Sequence, residues 1–349
     1  MLPDMKKTLL LPVLFFLSFA GFSASAATEE SKANVILITL DGLRFEEVWD
    51  GVRFPQKAGL PRGTELLPKL KARMKHGEAL GFHLWISNEV AISQPGYRAI
   101  LSGEFENRCT QNSCGNIDRR TIFDDLYDQG MNQPYELATV ASWEVIAKTI
   151  ESQPGRIVSN IAFQDYQEND LSPSEQALIT GINSQEKTDL PSWGGSRFDR
   201  YTYALSRFYI EKHHPRLFYM QFEDTDELGH EKNYKGYVKA IQDFDDRLDS
   251  LIQYLDASGE WGENTSIVIT TDHGRGRGSN WAHHSREFLS ADRTWAFVLP
   301  SKHLLKTRKV SERPQLTRSQ VDIRPTVELL LGVTPKSGKK NHGKPLVQF

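Results

Sequence analysis

Seven short runs of β-branched and apolar residues punctuate the chain, at 34–40, 79–87, 136–141, 156–163, 216–222, 266–271 and 294–299. Two are almost uninterrupted, Val35-Ile36-Leu37-Ile38-Thr39-Leu40 and Ile267-Val268-Ile269. Strands that read this way are covered on both faces, because a half-solvated strand would alternate with polar residues. Helix-like stretches lie between the runs at 67–75, 121–129, 143–151, 198–212 and 237–255. Strands alternating with helices of that length require crossover connections. The pattern therefore predicts an α/β fold, a three-layer sandwich with a mostly parallel central sheet. The polar stretch 164–196, containing Pro173, Pro191, Gly194 and Gly195, reads as an insertion over the sheet edge, too short to build a second core. With no internal repeat and no long linker, a single domain is expected.

The first apolar stretch is of another kind. Lys6 and Lys7 precede the run 9–22, and the small residues Ala24-Ser25-Ala26 follow it. That order is the secretory pattern, and the run is short for a membrane span, although an uncleaved anchor is the alternative. Residues 1–26 are thus expected to be a signal peptide and 27–349 the mature domain, periplasmic or secreted, with no stable membrane span after cleavage. Cleavage would take Asp4, Lys6 and Lys7 away and change the net charge from −3 to −4.

The near-neutral charge, 42 Lys+Arg against 45 Asp+Glu, offers no electrostatic footprint for nucleic acid. The two cysteines, Cys109 and Cys114, share one polar loop. In an oxidising compartment they are expected to pair as a local staple. Oligomeric state is not legible.

In parallel sheets, chemistry collects beyond the carboxyl ends of the strands. The run 34–40 ends in Asp41-Gly42, the run 266–271 in Asp272-His273-Gly274, and the run 216–222 leads into Glu223-Asp224-Thr225-Asp226-Glu227-Leu228-Gly229-His230. Asp41 alone could equally cap a turn. Asp272-His273 is a divalent-metal half-site, and Asp226 with His230, four apart on a helical turn, is a second. A further histidine is available in Trp281-Ala282-His283-His284. Imidazole with carboxylate and no thiolate suits zinc best among the divalent ions.

Five segments in this order, ILITLDGLR at 36–44, AISQPGYRAILSG at 91–103, DELGH at 226–230, TTDHG at 270–274 and WAHHS at 281–285, resemble the alkaline phosphatase superfamily, most closely its nucleotide pyrophosphatase/phosphodiesterase-like branch. The segment VDIRPTVELLLGVTP at 321–335 resembles the family's closing helix. The resemblance implies an alkaline-phosphatase-like fold, a metallo-phosphohydrolase-like catalytic domain and two divalent metal ions. One ion would be held by Asp41, Asp272, His273 and Ser93, the other by Asp226, His230 and His284, with His283 the near alternative to His284. It also places Ser93 as the nucleophile that forms a phosphoserine on a small phosphate-ester substrate. Taken by itself, Ser93 could instead cap a helix, since Pro95 and an apolar run follow it.

Departures from the family bear on substrate. A formylglycine sulfatase needs Arg four residues after the modified position, and this chain has Tyr97 there with Arg98 one place late. Gly42 replaces the second Asp such enzymes carry. Thr225 stands where the phosphodiesterase branch often has Pro. Asn107, Asn112 and Asn116 are candidates for the Asn that holds a phosphoryl oxygen in that branch. Arg275 either presents its guanidinium to phosphate or sits in a solvated loop. Trp85, Tyr97 and Trp295 are read as packing residues, with Tyr97 alternatively reaching a substrate ring. Asp224 is read as an orienting or turn residue, and His213-His214 as a helix end. A sulfatase-like or phosphonate-ester hydrolase, or an inactive metal-binding relative, are the alternative readings.

Overall fold

The computed structural model describes residues 32–335 and 342–349. The expected signal segment lies outside the described residues, and Lys32–Phe349 form one compact unit. The apolar runs become a seven-stranded sheet of β1 (Asn34–Leu40), β2 (Leu80–Trp85), β3 (Leu137–Ala141), β4 (Val158–Ile161), β5 (Leu217–Phe222), β6 (Thr265–Thr270) and β7 (Arg293–Leu299). Its order is β2-β7-β6-β1-β5-β3-β4. β1 is central and parallel to both β5 and β6, whereas β7 runs antiparallel to β6 and β2. The fold is a mixed α/β sandwich with a mostly parallel central sheet, as the pattern predicts.

Side chains alternate across a strand, and here both alternating sets are apolar. Ile36, Ile38 and Leu40 enter one core with Phe218, Met220, Ile267 and Ile269, while Val35 and Leu37 enter the other with Leu217, Tyr219 and Val268. The first core is closed by the helix Tyr234–Ala257, whose buried residues Tyr237, Ile241, Phe244, Leu248, Leu251 and Leu255 form one helical stripe. The second is closed by the helices Ser93–Ser102, Ile122–Asp128 and Ile323–Leu330.

Some elements differ from expectation. The stretch 143–151 is one 3-10 turn, Glu144–Lys148, at whose end Thr149 Oγ1 donates to the Ile146 carbonyl at 3.0 Å and competes with helix continuation. The stretch 164–196 contains an unforeseen helix, Pro173–Thr188, started by a capping box between Ser172 and Glu175, and it packs Ile179 and Ile182 into the first core. Trp85 is not a packing residue: it lies on edge strand β2 and is 49% exposed. Trp295 is buried and donates its indole N–H to the Leu43 carbonyl at 2.9 Å. Cys109 and Cys114 form a disulfide.

Candidate metal centre

Parallel register brings the ends of β5, β1 and β6 to one rim, and the helix Ser93–Ser102 opens onto it from the second-core side. Asp41 is buried directly after β1, and its carboxylate turns to side chains rather than to a backbone cap. Tyr97 donates its hydroxyl to Asp41 Oδ2 at 2.9 Å, and Ser93 Oγ lies 3.5 Å from Oδ1. The capping alternative for Ser93 falls as well. Ile92 occupies the N-cap position without a side-chain cap bond, and Ser93, the first helical residue, places Oγ 3.1 Å from His273 Nε2.

Around His273 Nε2 stand Asp41 Oδ1 at 3.4 Å, Asp272 Oδ2 at 3.5 Å and Asp226 Oδ1 at 3.8 Å. Asp226 Oδ2 lies 2.9 Å from His230 Nε2, which in turn lies 3.1 Å from His284 Nε2. The His284 ring stacks on that of His273 with centroids 4.1 Å apart. His283 points elsewhere and stacks on Phe288. The seven side chains singled out in the sequence as metal ligands therefore converge at one place.

The donor chemistry fits a divalent ion. Donor atoms of Asp41, Asp272 and His273, and those of Asp226, His273 and His284, lie within 4.8 Å of one another. His273 Nδ1 faces the Gly274 carbonyl at 2.9 Å and His284 Nδ1 the Ala91 carbonyl at 3.0 Å. A carbonyl only accepts, so each Nδ1 carries the proton and each Nε2 lone pair is left for the centre. Asp272 Oδ1 accepts the Gly42 N–H at 3.1 Å, whereas Oδ2 is buried with no hydrogen-bond partner among the described residues.

Electrostatics point the same way. Burial, then the neighbouring carboxylates Asp272, Glu223 and Asp226, push Asp41 well above the ordinary carboxylate range. Burial and Asp226 raise Asp272 to about 7. Burial, chiefly, lowers His273 to about 4 and His284 to about 3. A dication held among these carboxylates and neutral imidazoles would favour the ionised carboxylates. Asp226 differs: burial opposes its ionisation, but the Arg275 guanidinium, helped by His230 and His284, holds it well below the usual range.

Arg275 is the main correction to the sequence reading. Its side chain is buried, not offered to substrate. It donates from Nη2 to Asp226 Oδ1 at 2.5 Å and to the Asp226 carbonyl at 2.7 Å, and from Nη1 to the Ala282 carbonyl at 2.7 Å. It thereby ties together the segments carrying Asp226, His273 and His284. Tyr97 likewise orients Asp41 rather than reaching out, and Gln221 Nε2 donates to Tyr97 Oη at 3.1 Å.

Glu223 was not singled out as a site residue. It is buried, accepts from Gln221 Nε2 at 2.6 Å, and shares a possible ligand cluster with Asp41 and Asp226. Its place directly after β5 was the available signal. Thr225 Oγ1 donates to the Asp41 carbonyl at 2.5 Å, a bond proline at that position would not make. Asp224 is the first residue of the helix Asp224–His230, and it exchanges backbone-to-carboxylate bonds with Asp199.

At position 42 the backbone has φ +57°, and a Cβ would stand 2.2 Å from Asp226 Oδ1, so the fold admits no second aspartate there. Asn112 Oδ1 accepts the Gln94 N–H at 2.9 Å in the first turn of the Ser93 helix. Gln94 and Cys114 exchange two further bonds, so the disulfide loop is seated against that turn. Asn107 and Asn116 are exposed.

Residues 202–290 match the family model described as the Metalloenzyme superfamily. Among solved structures the chain is similar to the phosphonate monoester hydrolase of Agrobacterium radiobacter, with 13% identity over 90% of this chain and 76% of that one, TM-score 0.56. It is similar to a 2-O GAG sulfatase, with 14% identity over 90% and 73%, TM-score 0.52. It is also similar to a protein in the alkaline phosphatase superfamily from Vibrio parahaemolyticus, with 15% identity over 87% and 67%, TM-score 0.50. At such identities the likeness speaks for the fold. The family match places residues 202–290 with the Metalloenzyme superfamily, and the fold of the chain is like that of these alkaline-phosphatase-type structures. Among the described residues no helix is long and apolar enough to cross a membrane.

Proposed function

We propose that this chain is an exported, metal-dependent hydrolase of phosphate esters, diesters or monoesters, of the nucleotide pyrophosphatase/phosphodiesterase-like branch. The observation that carries the reading is Ser93 Oγ, set 3.1 Å from His273 Nε2 and 3.5 Å from Asp41 Oδ1 at the start of a helix. A serine has no structural reason to stand among buried metal-type donors, and a helix N-terminus favours the phosphate it would attack. Asp41, Asp272 and His273 would hold one divalent ion, and Asp226, His230 and His284 the other, zinc by donor chemistry. Bound divalent ions supply Lewis acidity, which acidifies a hydroxyl or water and balances charge on phosphoryl oxygens.

This chain's own groups do the rest. Tyr97 fixes Asp41, Arg275 fixes Asp226, and the Nδ1–H bonds fix the rings of His273 and His284. Ser93 Oγ forms a bond to phosphorus as the bond to the leaving alcohol breaks, and the serine proton passes through solvent to the departing alkoxide. Water then hydrolyses the phosphoserine, returns the hydroxyl to Ser93 and releases phosphate or a monoester. Export rests on the pattern in residues 1–26.

A sulfatase-like or phosphonate-ester activity is the second reading, favoured by the folds of the similar structures. The test is turnover of phosphomonoesters, phosphodiesters, phosphonate esters and sulfate esters by the zinc-loaded chain, its chelated form and Ser93→Ala. Loss of phosphate-ester turnover in both altered forms is expected. Unchanged turnover in Ser93→Ala would remove the role of Ser93, and preferential cleavage of sulfate or phosphonate esters would promote the second reading.

A further inference from the structure

A cavity of about 410 Å3 opens beside the segments that follow Asp41 and His273. Five guanidinium groups line it, those of Arg44, Arg53, Arg62, Arg277 and Arg293. The carboxylates on its wall are those of Glu46 and Asp50. Glu46 is shared among three arginines, with Arg44 Nη2 at 3.5 Å, Arg277 Nε at 3.2 Å and Arg293 Nη1 at 3.7 Å. Asp50 pairs with Arg53 at 3.3 Å. Glu47, behind the wall, faces Arg44 at 3.1 Å, and burial raises it to about 7, so its charge compensates only in part. Arg62 has no ion pair among the described residues, and Arg277 keeps half of its side chain open to solvent. Arg44 Nε is buried with no hydrogen-bond partner among the described residues.

Like charges gathered in a concave wall repel one another and raise the local potential, and they are stabilised by an anion that meets several of them together. Guanidinium is the side chain whose donor fork matches tetrahedral oxyanions. The volume lies near the low end of the range for small-molecule sites, roughly 300–1,000 Å3, which leaves room for the organic group that carries the anion. Phe54 supplies an apolar patch in the same wall. Arg44 is the third residue after Asp41 and Arg277 the fourth after His273. At no more than about 3.6 Å per residue, the pocket begins within about 15 Å of the metal-type ligands.

We propose that this arginine-lined pocket binds the phosphate- or sulfate-type oxyanion group of a small ligand, apart from the ester that would react at Ser93. The group belongs either to a second anionic substituent of the substrate, which rests on the hydrolase reading, or to a free oxyanion, which does not.

The test is calorimetric titration of the zinc-loaded full chain with inorganic sulfate at low ionic strength, with Arg62→Ala/Arg277→Ala and Glu46→Gln alongside. Neither arginine touches the metal-type ligands. Saturable binding is expected in the native chain, weakened at least tenfold in the double variant and tightened in Glu46→Gln, a gain that misfolding would not produce. Sulfate bound at the metal centre is recognised by its loss on chelation, so failure of the hydrolase reading leaves the pocket's result intact. Superimposable isotherms for the native chain and all variants, or no saturable binding, would overturn the proposal. The source is separated kinetically. A substrate-borne group raises KM for fructose 1,6-bisphosphate at least tenfold in the double variant and leaves that for p-nitrophenyl phosphate unchanged. A free oxyanion leaves both KM values unchanged in sulfate-free buffer.

Discussion

Arg275 Nη2 donates to Asp226 Oδ1 at 2.5 Å, with the guanidinium wholly buried, so one of the two carboxylate-and-histidine half-sites has a permanent cation built against it. Among the described residues no Arg or Lys pairs with the carboxylates of the other half-site, Asp41 and Asp272. This asymmetry explains why Asp226 is held ionised while Asp41 and Asp272 resist ionisation.

Replacing Arg275 by Met leaves Asp226 buried without its partner. Breaking a buried pair from one side costs about 3–5 kcal/mol. The expected result is a large fall in the melting temperature of the metal-free protein and a smaller fall in the zinc-loaded one, because zinc can take over the charge of Asp226. Equal falls in both forms would show that Asp226 does not meet the metal.

Tyr97→Phe removes the hydroxyl that fixes Asp41 Oδ2 and preserves the ring packing. Loss of such an orienting bond typically costs about 10–100-fold in metal affinity or activity. Zinc competition against a chromophoric chelator measures it, and the weakening is expected to exceed any change in melting temperature. Unaltered zinc affinity would reduce Tyr97 to packing.

The metal-free protein also carries a pH signature. Asp272 is raised to about 7 in the fold from an ordinary 3.8, so its contribution is full below the unfolded value and is lost as pH rises through 7. Asp272→Asn cannot ionise. Relative to the native chain, the variant is expected to gain on the order of 3–4 kcal/mol between pH 4 and pH 8 when both are metal-free. The comparison isolates Asp272 from the buried histidines, whose lowered pKa values destabilise on the acid side. Added zinc is expected to reverse the order of stability. Parallel pH curves measured by denaturant unfolding would contradict the burial argument.

Reducing the Cys109–Cys114 bridge, which closes a sequence separation of only 5, is expected to cost about 2 kcal/mol or less by chain entropy. The functional effect is expected to be the larger one. Gln94 exchanges bonds with Cys114 and gives its N–H to Asn112 beside Ser93, so loosening the loop should raise KM for a phosphate ester. Steady-state kinetics with and without reductant, at fixed zinc, decide this.

The sequence by itself determined the sheet and the rim. Uninterrupted apolar runs dictate doubly covered strands, and a residue placed just after such a strand has nowhere to go but the carboxyl edge. Asp41, Asp226, His230, Asp272 and His273 could be named for that reason, and His284 and Ser93 through the spacing of the family motifs. Tertiary structure alone decided which neighbours these side chains keep. Arg275 reads as a flexible, glycine-flanked surface arginine, yet it turns inward because Asp226, 49 residues earlier, lies buried within its reach. Tyr97 reads as packing until Asp41, 56 residues away, is seen to receive its hydroxyl. Glu46, Arg277 and Arg293 meet only because antiparallel β7 returns to the rim where β1 and β6 end. Local pattern sets which face of an element is apolar. Which buried charge compensates which depends on distances between strands that no local pattern encodes.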